Sequence, residues 1–519
     1  MNQTLHIFKK DVRRLWWAIA VTLALVAALG HIDRWRADWL VGSAEGLLNL
    51  LLPLAWACLI ALAVHGEPLA GDRHFWLTRP YRWPALLGSK ILFVLVFVHL
   101  PYFLENAAVL ASRGFSPWDY IPQLLWKQIV LAVVLTVPAM GLAALFENIT
   151  HFLLAAIAIA GAAVYLVGSA QPVRLPWLAA FPFRAGVSLV ALAIGAAAVI
   201  AVQYARRQTR LSRIIGLGAA VFAGLLFSYL QPALTARASA ALHPAHAALS
   251  LRLAPATEEL PSGLRFSLNQ LSPVEIAIPI AVSGVPDGVE LRTAQMTLEV
   301  AAPGGRRYRT PETYRADERV DVDAGLYTSG NNTNPPKWLV LRFRNPVYEA
   351  IKNQKIDVSG TYGVEFYRPG EPVLMALGGE RWLPGVGHCS STINESPNPY
   401  QEGLLKVLCE SPLDVSPLTR VKFQKPAIGR ERDQRLGDSA SMTSGLRGAW
   451  LSPLYRSQTY FQLISGPYDD VPGNRWMISC ETLASCQLAI TPSYNAGQAA
   501  TDFEMRGIVL SDYRISPRR

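Results

Sequence analysis

Residues 71–90, GDRHFWLTRPYRWPALLGSK, form a basic and aromatic block between two long apolar runs. The flanking runs, near 47–65 and 88–105, are each about as long as the hydrocarbon core of a bilayer requires. A scan with a window of about 19 residues finds five further runs, near 15–31, 128–146, 151–169, 185–204 and 214–231. The sequence therefore predicts an all-α membrane domain of seven spans over residues 15–231, in which residues 66–87 connect the second and third spans.

The composition indicates a membrane protein with two unlike parts. Of the 519 residues, 51% are hydrophobic and only 17% are charged, which is too apolar for an ordinary soluble protein. The first 231 residues carry 18 Lys and Arg against 9 Asp and Glu, whereas the remainder carries 30 against 29. The basic excess, which gives a pI of 9.4, thus belongs to segments that flank spans, and it does not indicate a nucleic-acid partner.

The distribution of Lys and Arg between alternate loops predicts the orientation of the spans. Six fall in one set of loops: Arg34, Arg36, Arg113, Lys127, Arg174 and Arg184. Twelve fall in the other set: Lys9, Lys10, Arg13, Arg14, Arg73, Arg79, Arg82, Lys90, Arg206, Arg207, Arg210 and Arg213. Because cytoplasmic loops are the more basic ones, we expect a cytoplasmic N-terminus and, after seven spans, an extracytoplasmic C-terminal part. In a bacterium these locations are the inner membrane and the periplasm.

The first 14 residues precede the first span and have an amphipathic pattern. Four apolar residues recur at helical spacing, with basic residues on the remaining face: Leu5, Phe8, Val12 and Leu15. This pattern predicts a short helix over residues 1–14 that lies along the cytoplasmic membrane surface and leads into the first span. A disordered basic tail is the alternative.

Beyond a connector at residues 232–255, the pattern changes to short alternating segments. VEIAIPIAV (274–282) and KWLVLRFR (337–344) are examples, and turn sequences such as PDG and PGG separate segments of this kind. Residues 256–519 are therefore predicted to form a mainly-β, sandwich-like extracytoplasmic domain. The polar tract at 431–448 is either a long loop or the seam between two β modules.

The cysteines divide in the same way as the hydropathy. Cys58 falls within the second span, whereas Cys389, Cys409, Cys480 and Cys486 fall in the β-rich part. An even number of cysteines in an exported domain predicts two disulfides, and the simplest of the three connectivities is Cys389–Cys409 with Cys480–Cys486. The alternative is four reduced thiols in a cytosolic domain.

No common catalytic motif is present in the sequence. The H-E-x-x-H pattern of zinc peptidases, the G-x-S-x-G pattern of serine hydrolases and the P-loop pattern G-x-x-x-x-G-K-[ST] are all absent. We therefore predict no catalytic, cofactor-binding or metal-binding residues and no enzymatic activity. A membrane-tethered enzyme is the weakest of the functional alternatives.

The block between the second and third spans also has a recognisable order of residue types. It resembles the cytoplasmic coupling segment of type-2 ATP-binding-cassette (ABC) transporter permeases, which has a Glu, a Gly, a hydrophobic pair, a proline turn with a following Arg, and a Lys opening the third span. The matching residues are Glu67, Gly71, Trp76, Leu77, Pro80, Arg82 and Lys90. The resemblance covers about residues 1–205. The seventh span and the large exported domain depart from the six-span plan of that family.

The resemblance implies the membrane-spanning permease subunit of an ATP-driven exporter, coupled to a separate ABC ATPase through residues 66–90. It implies that ATP and Mg are held by this partner subunit and that the permease acts as a homodimer or heterodimer. Phe75 and Arg79 would join the matching residues in contacting the ATPase. The cargo is not named by the sequence. The alternative function is a membrane-anchored extracytoplasmic binding or envelope-assembly protein that transports nothing.

Overall fold

The computed structural model describes most of a helical first part and the larger share of a β-rich second part. The described residues are 3–34, 39–66, 82–146, 148–169, 183–229, 237–238, 240–241, 244–245, 249–253, 274–309, 322–327, 338–383, 386–395, 403–412, 418–424, 442–445, 451–464, 478–479 and 487–513. Long helices occupy the chain up to residue 229 and strands predominate from residue 250. This confirms the predicted fold class at the level of a helical part followed by a mainly-β part.

The helical part consists of long elements, two of which contain a π-helical segment. The helices are α1 (Gln3–Arg34), α2 (Trp39–His65), α3 (Trp83–Val94), α4 (Leu100–Ser112), α5 (Ile121–Leu131), α6 (Val137–Leu145), α7 (Ile149–Ser169), α8 (Phe183–Arg206) and α9 (Thr209–Tyr229). The π-helical segment Leu95–His99 joins α3 to α4, and Ala132–Thr136 joins α5 to α6.

Six stretches within the described residues are long and apolar enough to cross a membrane. They are Gln3–Ile32, Gly46–His65, Trp83–Ser112, Pro117–Leu145, Gly186–Arg206 and Thr209–Phe227. The predicted span at 151–169 falls on α7. Within α7, the stretch Ile149–Ala158 is apolar but too short to be counted among these six. The number and composition of these helices indicate a multi-pass membrane protein.

The first helix differs from the sequence prediction. A surface helix over residues 1–14 and a separate span were expected, whereas α1 is continuous from Gln3 to Arg34. Ile7 and Asp11 are buried, and Ile7 belongs to the apolar core of the helical bundle. The first turns of α1 therefore pack against other helices.

The two π-helical segments have a local cause in the sequence. Pro101 and Pro138 each follow a π-helical segment by one intervening residue. Because proline lacks an amide hydrogen and its ring crowds the carbonyl four residues earlier, the preceding turn widens. The long helices thus remain continuous but have a wide turn near their middle.

Helices α3–α4 and α5–α6 form an antiparallel pair, which we call the hairpin. Its tip, residues 113–120, includes the short 3₁₀ helix Pro117–Tyr120. The stretch Trp83–Ser112 has 30 residues and is therefore about 45 Å long. The bundle thus has two ends, one where α1 and α3 begin and one at the hairpin tip.

Helices α8 and α9 pack closely because small residues line their contact. A Cβ atom added to Gly195 of α8 would lie 2.1 Å from the Cβ atom of Ala219 in α9. Gly141 of α6 makes a similar approach to Ala196 of α8. Close approach of this kind allows extensive van der Waals contact between membrane helices.

The described residues of the β region form strands of 2 to 23 residues, the small helix α10 (Asn345–Ile351) and the 3₁₀ helix Leu510–Tyr513. The strands are β1 (Ser250–Leu253), β2 (Val274–Ser283), β3 (Glu290–Ala301), β4 (Arg307–Arg309), β5 (Val322–Tyr327), β6 (Trp338–Phe343), β7 (Lys355–Pro369), β8 (Val373–Ala376), β9 (Glu380–Leu383), β10 (Gly387–Glu395), β11 (Gly403–Pro412), β12 (Leu418–Gln424), β13 (Met442–Gly445), β14 (Leu454–Ile464), β15 (Ile478–Ser479) and β16 (Gln487–Val509).

These strands form three sheets. The first has the order β1-β2-β6-β5, the second β13-β14-β11-β10-β9 with β15 beside β14, and the third β12-β16-β7-β3-β4 with β8 beside β16. Among the described pairs, only β14 and β15 are parallel. Of the tract at 431–448, only β13 falls within the described residues.

The three sheets enclose two apolar cores that share strand β16. Ile276 of the first sheet belongs to one core, with Val358 and Phe503 of the third sheet. Leu405 of the second sheet belongs to the other core, with Leu488 of the third. Because Leu488 and Phe503 both lie on β16, this long strand joins the two cores.

One predicted disulfide is present in the structure. Cys389 and Cys409 lie opposite each other on β10 and β11, with their Cα atoms 4.1 Å apart, and are bonded. Both side chains are buried in the second core. The prediction of Cys389–Cys409 is therefore confirmed, whereas Cys480 and Cys486 lie outside the described residues.

Candidate functional site

The predicted coupling residues are only partly covered by the structure. Arg82 and Lys90 are described. The others lie outside the described residues: Glu67, Gly71, Phe75, Trp76, Leu77, Arg79 and Pro80. The roles assigned to them stay predictions, and the structure defines the two ends of the segment that contains them.

The two ends of this segment are each held by backbone interactions. At the end of α2, the Gly66 carbonyl accepts a hydrogen bond from the Arg14 guanidinium of α1, at 3.3 Å. At the start of α3, the exposed Arg82 has an extended backbone, and its carbonyl accepts from the Leu86 amide at 3.1 Å. Pro84 follows in the first turn, where its missing amide hydrogen costs nothing. The segment therefore begins and ends at defined helix termini.

Lys90 lies inside the bundle. Its side chain is 1% exposed, and its Nζ atom donates to Oδ2 of Asp11 in α1 at 2.6 Å. The Asp11 side chain is equally buried, at 2% exposure. A buried charge is tolerated only when its partner stays in place, so this ion pair fixes α1 against α3 just inside the end that carries the predicted coupling segment.

His99 connects the two halves of the hairpin at mid-length. Its Nδ1 atom lies 3.0 Å from Oε1 of Gln128, and its Nε2 atom lies 3.1 Å from Oγ1 of Thr136. Each ring nitrogen of His99 is therefore within hydrogen-bonding distance of a side chain on the other half of the hairpin. Both π-helical segments contribute to this contact, since His99 ends one and Thr136 ends the other.

The β region inserts a short segment into the tip end of the helical bundle. We call residues 451–454 the plug. Leu451 is 1% exposed and belongs to the apolar core of the bundle, together with Trp56 and Tyr102. Leu454 belongs to a second cluster with Leu110 of the hairpin. Two leucines of the β region are thus packed among membrane helices.

The plug is also held by hydrogen bonds to one backbone oxygen. The Tyr102 hydroxyl donates to the Leu451 carbonyl at 2.7 Å, and the Lys127 ammonium donates to the same oxygen at 2.6 Å. Lys127 also donates to Oδ1 of Asn106 at 2.8 Å, and its Nζ atom lies 5.2 Å from the centre of the Tyr102 ring. The site therefore combines a charged donor and a neutral donor aimed at a single acceptor.

A second set of contacts at the hairpin tip joins the helices to the second sheet. Arg113 and Glu410 form an ion pair of 3.2 Å, and both side chains are nearly buried. The rings of Phe115 and Trp382 pack with their centres 4.8 Å apart. Gly387 has a φ of +113°, and a Cβ atom there would come within 2.7 Å of the Phe115 ring. The tip is thus fitted to the β region by shape and by charge.

Sequence reasoning placed one of these polar residues wrongly. It assigned Lys127 to a loop, whereas Lys127 is buried within α5. Glu105 stands at the end of an apolar run in the sequence, yet both of its carboxylate oxygens are buried. The cause is the same in both cases. The hairpin helices continue to Ser112 and start again at Pro117, well beyond the ends of the apolar runs.

One signal in the sequence could have revealed this polar face. His99, Tyr102 and Asn106 are spaced by three and four residues, so they lie on one side of the continuous helical stretch Trp83–Ser112. Ionisable and amide residues at such a spacing inside an apolar run mark an interior face. This spacing does not show which residues of other helices or strands contact them.

Comparisons with known proteins give no match. No family model, curated protein or solved structure is similar enough to this chain to be matched. The resemblance to type-2 ABC permeases therefore still depends on the sequence block described above.

Proposed function

We propose that this chain is the membrane-spanning permease subunit of an ATP-driven ABC exporter. One observation carries the proposal. The predicted coupling segment leads directly into α3 at Arg82, and the helix that starts there continues to Ser112 beside the β region. A force applied to the segment at one end of the bundle would therefore reach the β region at the other end.

In the proposed mechanism, the continuous helical stretch Trp83–Ser112 transmits movement along the bundle. A separate ATPase binds the coupling segment 66–90 ahead of the buried Lys90, and its nucleotide-driven closure moves this segment. The Lys90–Asp11 pair makes α1 move with α3. The plug contacts and the Arg113–Glu410 pair then pass the motion to the β region. ATP and Mg belong to the partner subunit in this mechanism.

The proposed orientation has support from charge and from redox chemistry. Exposed basic residues lie at the end of the bundle where α1 begins, among them Lys9, Arg13 and Arg14. This is the pattern of cytoplasmic segments. The Cys389–Cys409 disulfide fits an oxidising compartment for the β region, such as the periplasm. Two permease subunits, identical or different, would form the transport pathway.

The proposal is tested by purifying the tagged protein in mild detergent and measuring co-purified ATPase. We expect an ATP-binding subunit in about equal amount and ATPase activity that falls about tenfold in Glu67→Ala or Arg79→Ala. Glu371→Ala and Arg252→Ala, exposed residues of the β region, are the matched controls and should leave this activity unchanged.

Two results would contradict the proposal. Absence of any ATPase partner would favour the anchored extracytoplasmic binding or envelope-assembly protein. Full ATPase activity in both coupling-segment variants would show that the partner does not act through residues 66–90.

A further inference from the structure

The plug occupies a position that is built to hold an acceptor group. Tyr102 and Lys127 come from two different helices, and both donate to the Leu451 carbonyl oxygen. Asn106 orients this arrangement, because its Oδ1 accepts from Lys127 while its Nδ2 donates to the Tyr102 carbonyl at 2.6 Å. The Lys127 ammonium is therefore oriented in part by the hairpin itself, and the Tyr102 ring is packed edge-on against Trp56 of α2, with ring centres 5.2 Å apart.

The charge at this position favours an acidic group over the carbonyl that occupies it. A carboxylate or phosphate oxygen adds a counter-charge for the Lys127 ammonium, and it turns the bond from the Tyr102 hydroxyl into a charge-assisted one, roughly twice as strong as a bond between neutral groups. The strength of such bonds rises further where water is excluded, as it is around Lys127 and Asn106. An acidic oxygen would thus compete well with Leu451.

The part of the plug attached to this carbonyl is apolar. The Leu451 side chain lies in the bundle core with Trp56, Leu52 and Ile60. A molecule that replaced the plug would therefore need an apolar chain next to its acidic head. The plug resembles such a molecule in outline, with one acceptor oxygen and one hydrocarbon branch.

We propose that Tyr102 and Lys127 bind the acidic head of a single-chain amphiphile, a carboxylate or a phosphate on one hydrocarbon chain, and that the plug is its built-in competitor. In the resting state the Leu451 carbonyl and side chain fill the site. When the amphiphile enters, its head takes both donors and its chain takes the place of the Leu451 side chain, so residues 451–454 leave the bundle. The binding site itself does not depend on the proposed function. The role of the amphiphile does, because in an exporter it would be the cargo.

The test measures binding to the full-length protein in phosphatidylcholine nanodiscs. The probes are a palmitate with a photoreactive diazirine in its chain, the lysophosphatidate carrying the same chain, and the matching long-chain alcohol. We expect photolabelling by one or both acids to reach half its maximum at a concentration about tenfold lower than labelling by the alcohol. The carboxylate and phosphate arms identify which head group the site prefers.

Three variants test the named residues. Lys127→Met should remove the preference for the acids, and Tyr102→Phe should weaken acid binding about threefold. Leu451→Gly keeps the carbonyl but removes the competing side chain, so acid binding should become severalfold tighter. Lys352→Met and Leu253→Gly, in the β region outside the plug, are the matched controls and should bind as the unchanged protein does.

The proposal is overturned if the acids and the alcohol label equally, if Lys127→Met retains the acid preference, or if Leu451→Gly binds no better. Should Lys127→Met not yield folded protein, Leu451→Gly and Tyr102→Phe decide the question. The assay contains no ATP and measures photolabelling of this chain alone, so its outcome is separate from that of the co-purification experiment. Acid-selective binding without an ATPase partner would support this site while contradicting the proposed exporter.

Discussion

At the scale of single residues, the Lys90–Asp11 pair shows how strongly one contact can constrain the bundle. Both side chains are buried, and Nζ and Oδ2 are 2.6 Å apart. Lys90→Met should leave Asp11 buried without this partner, at a cost of about 3–5 kcal/mol, because the desolvated carboxylate loses its counter-charge. The measurement is the apparent melting temperature of the detergent-solubilised protein, which should fall.

The double variant Lys90→Met with Asp11→Leu should recover most of this loss, because apolar residues of similar size replace both charges. Arg13→Met removes an exposed cation two residues from Asp11 and should change the melting temperature little. A Lys90→Met protein as stable as the unchanged one would show that the pair does not hold α1 against α3.

At the scale of elements, the contact between α8 and α9 depends on small residues. Gly195→Ala would bring its new methyl group within 2.1 Å of the Ala219 Cβ atom, so the helices must separate and lose van der Waals contact. We expect a lower melting temperature. Gly218→Ala places the same methyl group in open space on α9 and should be neutral or slightly stabilising. Equal effects of the two substitutions would rule out close packing at Gly195.

At the scale of the whole molecule, the beginning of α1 and the β region lie at opposite ends of the helical bundle. We therefore expect them on opposite sides of the membrane. In intact cells, an impermeant maleimide should label Lys355→Cys in β7 and should not label Lys9→Cys in α1. Labelling of the unchanged protein, which has only the native cysteines, is the background for both variants. After lysis both sites should react, because both are exposed. Labelling of Lys9→Cys in intact cells would reverse or refute the predicted orientation.

Local features were open to prediction because they depend on residues close together in the chain. The apolar runs have the length that a bilayer imposes, and the alternating segments have the period of strands, so helical and β parts could be separated. Cys389 and Cys409 are 20 residues apart, and an even number of cysteines in a part predicted to be exported suggested their pairing. Pro101 and Pro138 likewise follow, after one intervening residue, the π-helical segments that they cause.

The sequence by itself thus determined the class of each part and the number of apolar runs, and it suggested the Cys389–Cys409 disulfide as one member of the simplest connectivity. Only the tertiary structure decided which polar groups are buried and what they contact. Asp11 and Lys90 are 79 residues apart, and Leu451 is 349 residues from Tyr102. Periodicity shows which face of a helix is interior, but it carries no information on the element packed against that face. The plug therefore became visible only when the β region and the hairpin were seen together.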